Sequence, residues 1–224
     1  MTRKLSIIYK ILVSLSLFIG ITLNLFETSA PIQLLSYYTF QSNIICFLAF
    51  ITYLMIECLD KNRSYQKNDI YHLTKGSIVI MILITISCYY IALLPFGFNM
   101  ESLQQDLATR KIANFFVHTF SPFLVILDYF LFDEKGNFKG YYPFLWLFFP
   151  INYVLYVYFY SSKGGTFYGI GGSDKFAYFF LDYTQLGISG VIKWVTGIIF
   201  VILLVSYILV YIDKIFKLKR KEKK

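Results

Sequence analysis

Residues 34–58 read LLSYYTFQSNIICFLAFITYLMIEC, a run with no charge before Glu57 and a knot of hydrogen-bonding side chains, Thr39, Gln41, Ser42 and Asn43, near its start. A helix rising about 1.5 Å per residue needs about 20 mostly apolar residues to cross a hydrocarbon core about 30 Å thick. This stretch is long enough. Five more qualify, at approximately 5–26, 76–97, 112–132, 143–161 and 185–212. The predicted fold is all-α: a polytopic membrane protein, one six-helix transmembrane bundle spanning residues 1–224 as a single domain.

Composition agrees with that placement. Hydrophobic residues make up 57% of 224 positions and charged residues 15%, against about 25% charge in an ordinary soluble domain. Cys46, Cys58 and Cys88 are odd in number, sit in apolar stretches and lack CxxC or histidine spacing, so neither a disulfide framework nor a zinc site is expected. The net charge of +8 is concentrated in the tail KIFKLKRKEKK, residues 214–224. That tail reads as an anchor near anionic lipid, and nucleic acid is not expected as a partner.

The charges also orient the chain. MTRK, DKNRSYQKND, DEKGNFKG and the tail hold most of the Lys and Arg, while ETSAPIQ has none, which places both termini in the cytoplasm of a multi-pass cell-membrane protein. The TSA before Pro31 resembles a cleavage site. Proline directly after it and the length of the apolar run favour an uncleaved anchor. The longest connection, residues 162–184, is glycine-rich and outward-facing, a candidate lid. Its glycines have no preceding strand and no GK[ST], so they read as turn chemistry rather than a phosphate loop.

Depth sorts the polar residues inside the spans. Thr39 lies about 8 Å below the outer edge of the second span and His118 about 9 Å into the fourth, KIANFFVHTFSPFLVILDYFLF. Thr39 and Asn43, four apart, share a face. A membrane threonine ordinarily bonds its own helix, and Asn or His often joins neighbouring helices. Against that, an ionisable residue inside a span is unfavourable by a few kcal/mol and is by default a functional hypothesis. His72 is expected in a solvated inner loop. Asp128, about 15 Å deeper than His118, is expected at the inner interface or in a helix contact. Asn152 is expected to join helices, Lys193 to snorkel outward, and Asp182, at the outer entrance of the last span, to hold a ring N–H of His118.

Three stretches, YYTFQSN at 37–43, HTFSPFLVILDYFLFDEKG at 118–136 and YFFLDYTQLG at 178–187, together resemble the androgen-induced membrane protein family, especially its bacterial six-helix branch. Relatives usually carry Trp after the aspartate where Tyr129 stands here. The resemblance implies an atypical membrane hydrolase with a threonine nucleophile and a histidine, Thr39 and His118 by motif, and a lipid ester as substrate. His118 would act as base and Thr39 as acyl acceptor, with the Asn43 amide and Ser42 hydroxyl as oxyanion donors and no metal or cofactor. The alternatives are a small transporter or channel using the same residues as a polar path, and a structural membrane protein without chemistry.

Overall fold

In the computed structural model, which describes residues 2–28, 30–93, 107–167 and 175–222, every extended element is a helix. They are α1 (Arg3–Glu27), α2 (Pro31–Leu35), α3 (Tyr38–Leu59), α4 (Asp69–Ser87), α5 (Leu107–Phe115), α6 (Ser121–Phe132), α7 (Tyr142–Trp146), α8 (Phe148–Ser162) and α9 (Tyr183–Glu222). A π turn, Cys88–Leu93, extends α4, and a second, Phe116–Phe120, joins α5 to α6. Six continuous segments are long and apolar enough to cross a membrane: Arg3–Glu27, Tyr38–Leu59, Asp69–Ile91, Lys111–Phe132, Tyr142–Ser162 and Tyr183–Leu218. The protein is a multi-pass, all-α membrane protein.

Local signals set the boundaries. Pro31 opens α2, where its missing N–H is not needed. Asn68 caps α4, accepting from the N–H of Ile70 at 2.8 Å, with Asp69 in the favourable first turn. Gly187, at φ +65°, puts a bend inside α9 that a residue with a Cβ would resist.

Two of the predicted boundaries move. The second span does not run unbroken from residue 34, because the chain breaks at Ser36–Tyr37 between α2 and α3. The third begins at Asp69 rather than near 76, and His72, expected in solvent, is 2% exposed with Nε2 2.5 Å from the carbonyl of Gln66. The reason lies nearby. Lys75, fully buried, pairs with Asp128 of α6 and with Asp133 at 3.4 Å, and Lys10 of α1 reaches Asp128 at 3.2 Å and Glu57 of α3 at 3.8 Å. Arg63 completes the group on Glu57 at 2.9 Å. Three cations and three anions therefore close on one another inside the bundle, joining α1, α3, α4 and α6.

At the opposite end, α2, the start of α3, the C-terminal half of α8 and the described flanks of the 162–184 connection form an aromatic cluster. Leu34, Tyr37, Tyr38, Phe167, Phe176 and Tyr178 are all buried in it. The candidate lid thus covers this end of the bundle with its described flanks, and Gln33 donates to Thr166 at 2.9 Å. Gly169, Gly171 and Gly172 lie outside the described residues.

Candidate functional site

The break before α3 decides the setting of Thr39. Tyr153 and Tyr156 of α8 hold it: the first donates to the Ser36 carbonyl at 3.2 Å and the second to Ser36 Oγ at 2.9 Å. Because the chain turns there, Thr39 is the second residue of α3, where helical N–H groups have no partner one turn back. Tyr37 provides no side-chain cap, and the capping backbone bonds reach only the N–H groups of Phe40 and Gln41. The Thr39 N–H accordingly finds no acceptor among the described residues, while that of Tyr38 is directed at the hydroxyl oxygens of Tyr153 and Tyr178. The sequence predicts Thr39 about 8 Å inside an unbroken second span. The structure puts it at a positive helix end instead.

Its hydroxyl is also set apart. Thr22, Thr52 and Thr85 each donate to the carbonyl four residues back, and Thr74 to the one three back. Thr39 has no such carbonyl in its own helix, and no hydrogen bond to its hydroxyl forms among the described residues.

His118 sits in the π turn Phe116–Phe120, and the sequence HTFSP explains the turn. Pro122 has no N–H to give, so the helix cannot keep its regular ladder through this point. The Ser121 N–H bonds the Phe116 carbonyl five residues back, and the Val117 carbonyl, whose partner in that register would be Pro122, is left over. Asn43 fills it: Nδ2 donates to Val117 O at 3.2 Å and to Thr39 O at 2.7 Å. One amide therefore straps the first turn of α3 to the residue before His118. Gly20 of α1 lets the turn approach closely, since a Cβ there would stand 2.9 Å from Phe116 Cβ.

The His118 ring stacks on Tyr89, from the π turn that ends the third span, at 3.9 Å between centroids and 14° between planes. Next to that pair, Tyr90 Oη and Thr119 Oγ1 are 2.6 Å apart. The two π turns are stitched side by side. Tyr89 was missed at the sequence level because one tyrosine among twenty, at the end of a span, looks like any interfacial aromatic.

His118 is buried, and neither ring nitrogen has a hydrogen-bond partner among the described residues; Asn43 Oδ1 in α3 and Ser121 Oγ at the start of α6 share that condition. Such an atom costs about 1–3 kcal/mol, so each calls for a reason.

Three expectations are corrected here. Both hydrogens of the Asn43 amide are committed to carbonyls, and the Ser42 hydroxyl donates to Thr39 O at 3.0 Å while lying 2.8 Å from Thr85 Oγ1. Neither is a free oxyanion donor. Asp182 does not hold the histidine: its Oδ1 accepts from Thr184 N–H and hydroxyl at the start of α9, and the ring nitrogens have no hydrogen bond among the described residues. Asn152 joins no helices, for it is exposed and donates to its own helix at Phe148 O, 2.6 Å away. Among the described residues no group of three or more His, Cys, Asp or Glu is placed to hold a metal ion.

No protein-family model, curated protein or solved structure matches the chain. The functional reading rests on the site and on the short motifs around it.

Proposed function

We propose that the protein is a membrane hydrolase of lipid esters, with Thr39 as nucleophile and His118 as base, and that it is a bacterial-type member of the androgen-induced family. The observation that carries this reading is the strapped pair of helix starts. It presents one threonine free of the usual back-bond and one buried histidine with no hydrogen bond among the described residues, held together through Asn43.

In the first step a ring nitrogen of His118 takes the Thr39 hydroxyl proton as Oγ1 bonds to the ester carbonyl carbon. The ester C–O bond then breaks, and the proton passes from His118 to the leaving alcohol. Water, deprotonated by the same ring, attacks the acyl-threonine. The carboxylic acid leaves and Thr39 regains its proton. A positioned base of this kind supplies typically 10²–10⁴ in rate. Here the ring is stacked on Tyr89 rather than bonded to Thr39, and bound substrate brings the two into contact, as catalytic hydrogen bonds often tighten only in the complex. The oxyanion falls to the N–H of Thr39 at the positive end of α3, such a donor being worth about 3 kcal/mol.

The site's position near a helix start suits an ester entering sideways from the leaflet. The basic tail and inner loops favour cytoplasmic termini, which puts the site on the outer side of the cell membrane. A transport path would need polar side chains at successive depths. Asn152 faces outward and Asp128 is locked between two lysines, which disfavours that alternative.

The test is turnover of a panel of lipid esters by detergent-solubilised protein and by Thr39→Ala, His118→Ala and the double variant. Each single variant should lose activity, with the double hardly worse, because the two residues act as a unit. Unchanged activity in either alanine variant, or none in the parent on any ester, would remove the hydrolase reading.

A further inference from the structure

A second feature lies on the other side of the π turn that carries Tyr89. Between the third span and α9 runs a cavity of about 680 Å³. Its wall from the third span is Ile80, Ile84, Cys88 and Ile91, spaced three or four apart, so the cavity follows the helix axis for about 16 Å. Its wall from α9 repeats at the same period through Lys193, Gly197, Val201 and Val205. Ile91, Trp194 and Val201 are exposed along it, which opens the groove sideways to the bilayer. The volume is that of a small-molecule site.

Polarity runs in one direction only. At the end shared with Thr39 stand Lys193, Ser87 and Cys88, roofed by Phe179 and Phe180; at the other end the walls are Ile80, Ile202 and Val205. Lys193 forms no ion pair among the described residues. A cation that can reach the interface above a single aliphatic channel is complementary to a single-chain anion.

We propose that this groove binds a long-chain fatty acid, its carboxylate at Lys193 and its chain laid between the third span and α9 towards Ile80. The groove is one helix seam wide and takes one chain. A two-chain phospholipid would leave its second chain in the bilayer and gain little over any neighbouring lipid. This inference does not depend on the hydrolase reading, and its test measures binding, not turnover.

Gly197 supplies the decisive variant. A Cβ there would meet nothing within 4 Å, so Gly197→Leu fills the groove without pressing on the fold. The full chain, in nanodiscs of phosphatidylcholine, is irradiated with hexadecanoic acid carrying a diazirine, and the adducts are mapped. The expected adducts lie on Ile80–Ile91 and Lys193–Val205. Excess hexadecanoic acid should displace the probe and its methyl ester should compete poorly. Lys193→Gln should weaken labelling about tenfold, the order expected for one charge-assisted contact. Gly197→Leu should abolish it, and Val201→Phe, on the same wall, repeats the steric test independently of any folding defect in the first. Adducts spread over outward residues such as Phe26 and Leu155, equal competition by the methyl ester or by added phosphatidylcholine, or labelling that survives both groove-filling variants would each overturn the proposal.

Discussion

The two ends of the bundle treat buried polar atoms in opposite ways. At one end Lys10, Lys75, Asp128, Asp133 and Glu57 are wholly buried, and each charge is matched by an opposite one. Lys75 also lies over the faces of Phe50 and Tyr53 at 4.7 and 4.8 Å. At the other end Asn43 and His118 are as deeply buried, yet Asn43 Oδ1 and both ring nitrogens of His118 have no hydrogen bond among the described residues. The first arrangement fixes how four helices meet. The second leaves its hydrogen-bonding capacity unspent, as a site that must engage a substrate does. The proposed function therefore assigns stability and chemistry to separate ends.

That contrast fails if the paired end is dispensable. Lys75→Ala leaves Asp128 and Asp133 short of a cation in a buried place, and loss of one partner of such a pair costs about 3–5 kcal/mol. A thermal unfolding shift of that order in micelles is expected; a change under about 1 kcal/mol would show the cluster to be ornamental. Next in size, Asn43→Ala removes the strap and orphans the Val117 carbonyl, at a cost of about 1–3 kcal/mol. It should lower turnover as well, because the two helix starts lose their register. Full activity at reduced stability would mean that the strap does not position the site.

A smaller effect tests the charged end by pH. Burial raises the Asp133 carboxyl, but Lys75 and Lys10 outweigh it and hold the group below its ordinary value. A carboxyl depressed in the folded state adds stability that is complete above the unfolded value of about 3.9 and is lost as pH falls through it towards the folded one. The acid limb of the stability curve, below about pH 5, should therefore be shallower in Asp133→Asn than in the parent. Identical limbs would place the acid sensitivity elsewhere.

The smallest change in stability is expected at His118 itself. His118→Phe keeps the stack on Tyr89 and removes two buried nitrogens without a hydrogen bond among the described residues, so stability should stay within about 1 kcal/mol of the parent or rise, while hydrolysis should end. A large destabilisation would make the histidine structural.

The spans were legible because run length and hydropathy alone define them. Thr39 and His118 stood out because polar side chains are rare at that depth. Asp69–Lys75 was misread as a loop because a lysine and a histidine suggest solvent until their partners are seen, and those lie 53 or more residues away for Lys75 and on a neighbouring carbonyl for His72. Asn43 was assigned to the oxyanion because its spacing shows the face it shares with Thr39. Spacing does not show that Pro122 frees the Val117 carbonyl to claim the amide. The break at Ser36–Tyr37, and with it the unbonded Thr39 N–H at the start of α3, depends on tyrosines of α8 more than a hundred residues on.

The central claim is that Thr39 is a nucleophile activated by His118, and covalent labelling tests it most directly. Purified protein treated with an alkyl fluorophosphonate and digested should carry the phosphonyl group on Thr39. The adduct should be absent from Thr39→Ala and strongly reduced in folded His118→Phe. A parent protein that takes no label at Thr39, or a His118→Phe variant labelled as fast as the parent, would contradict the account.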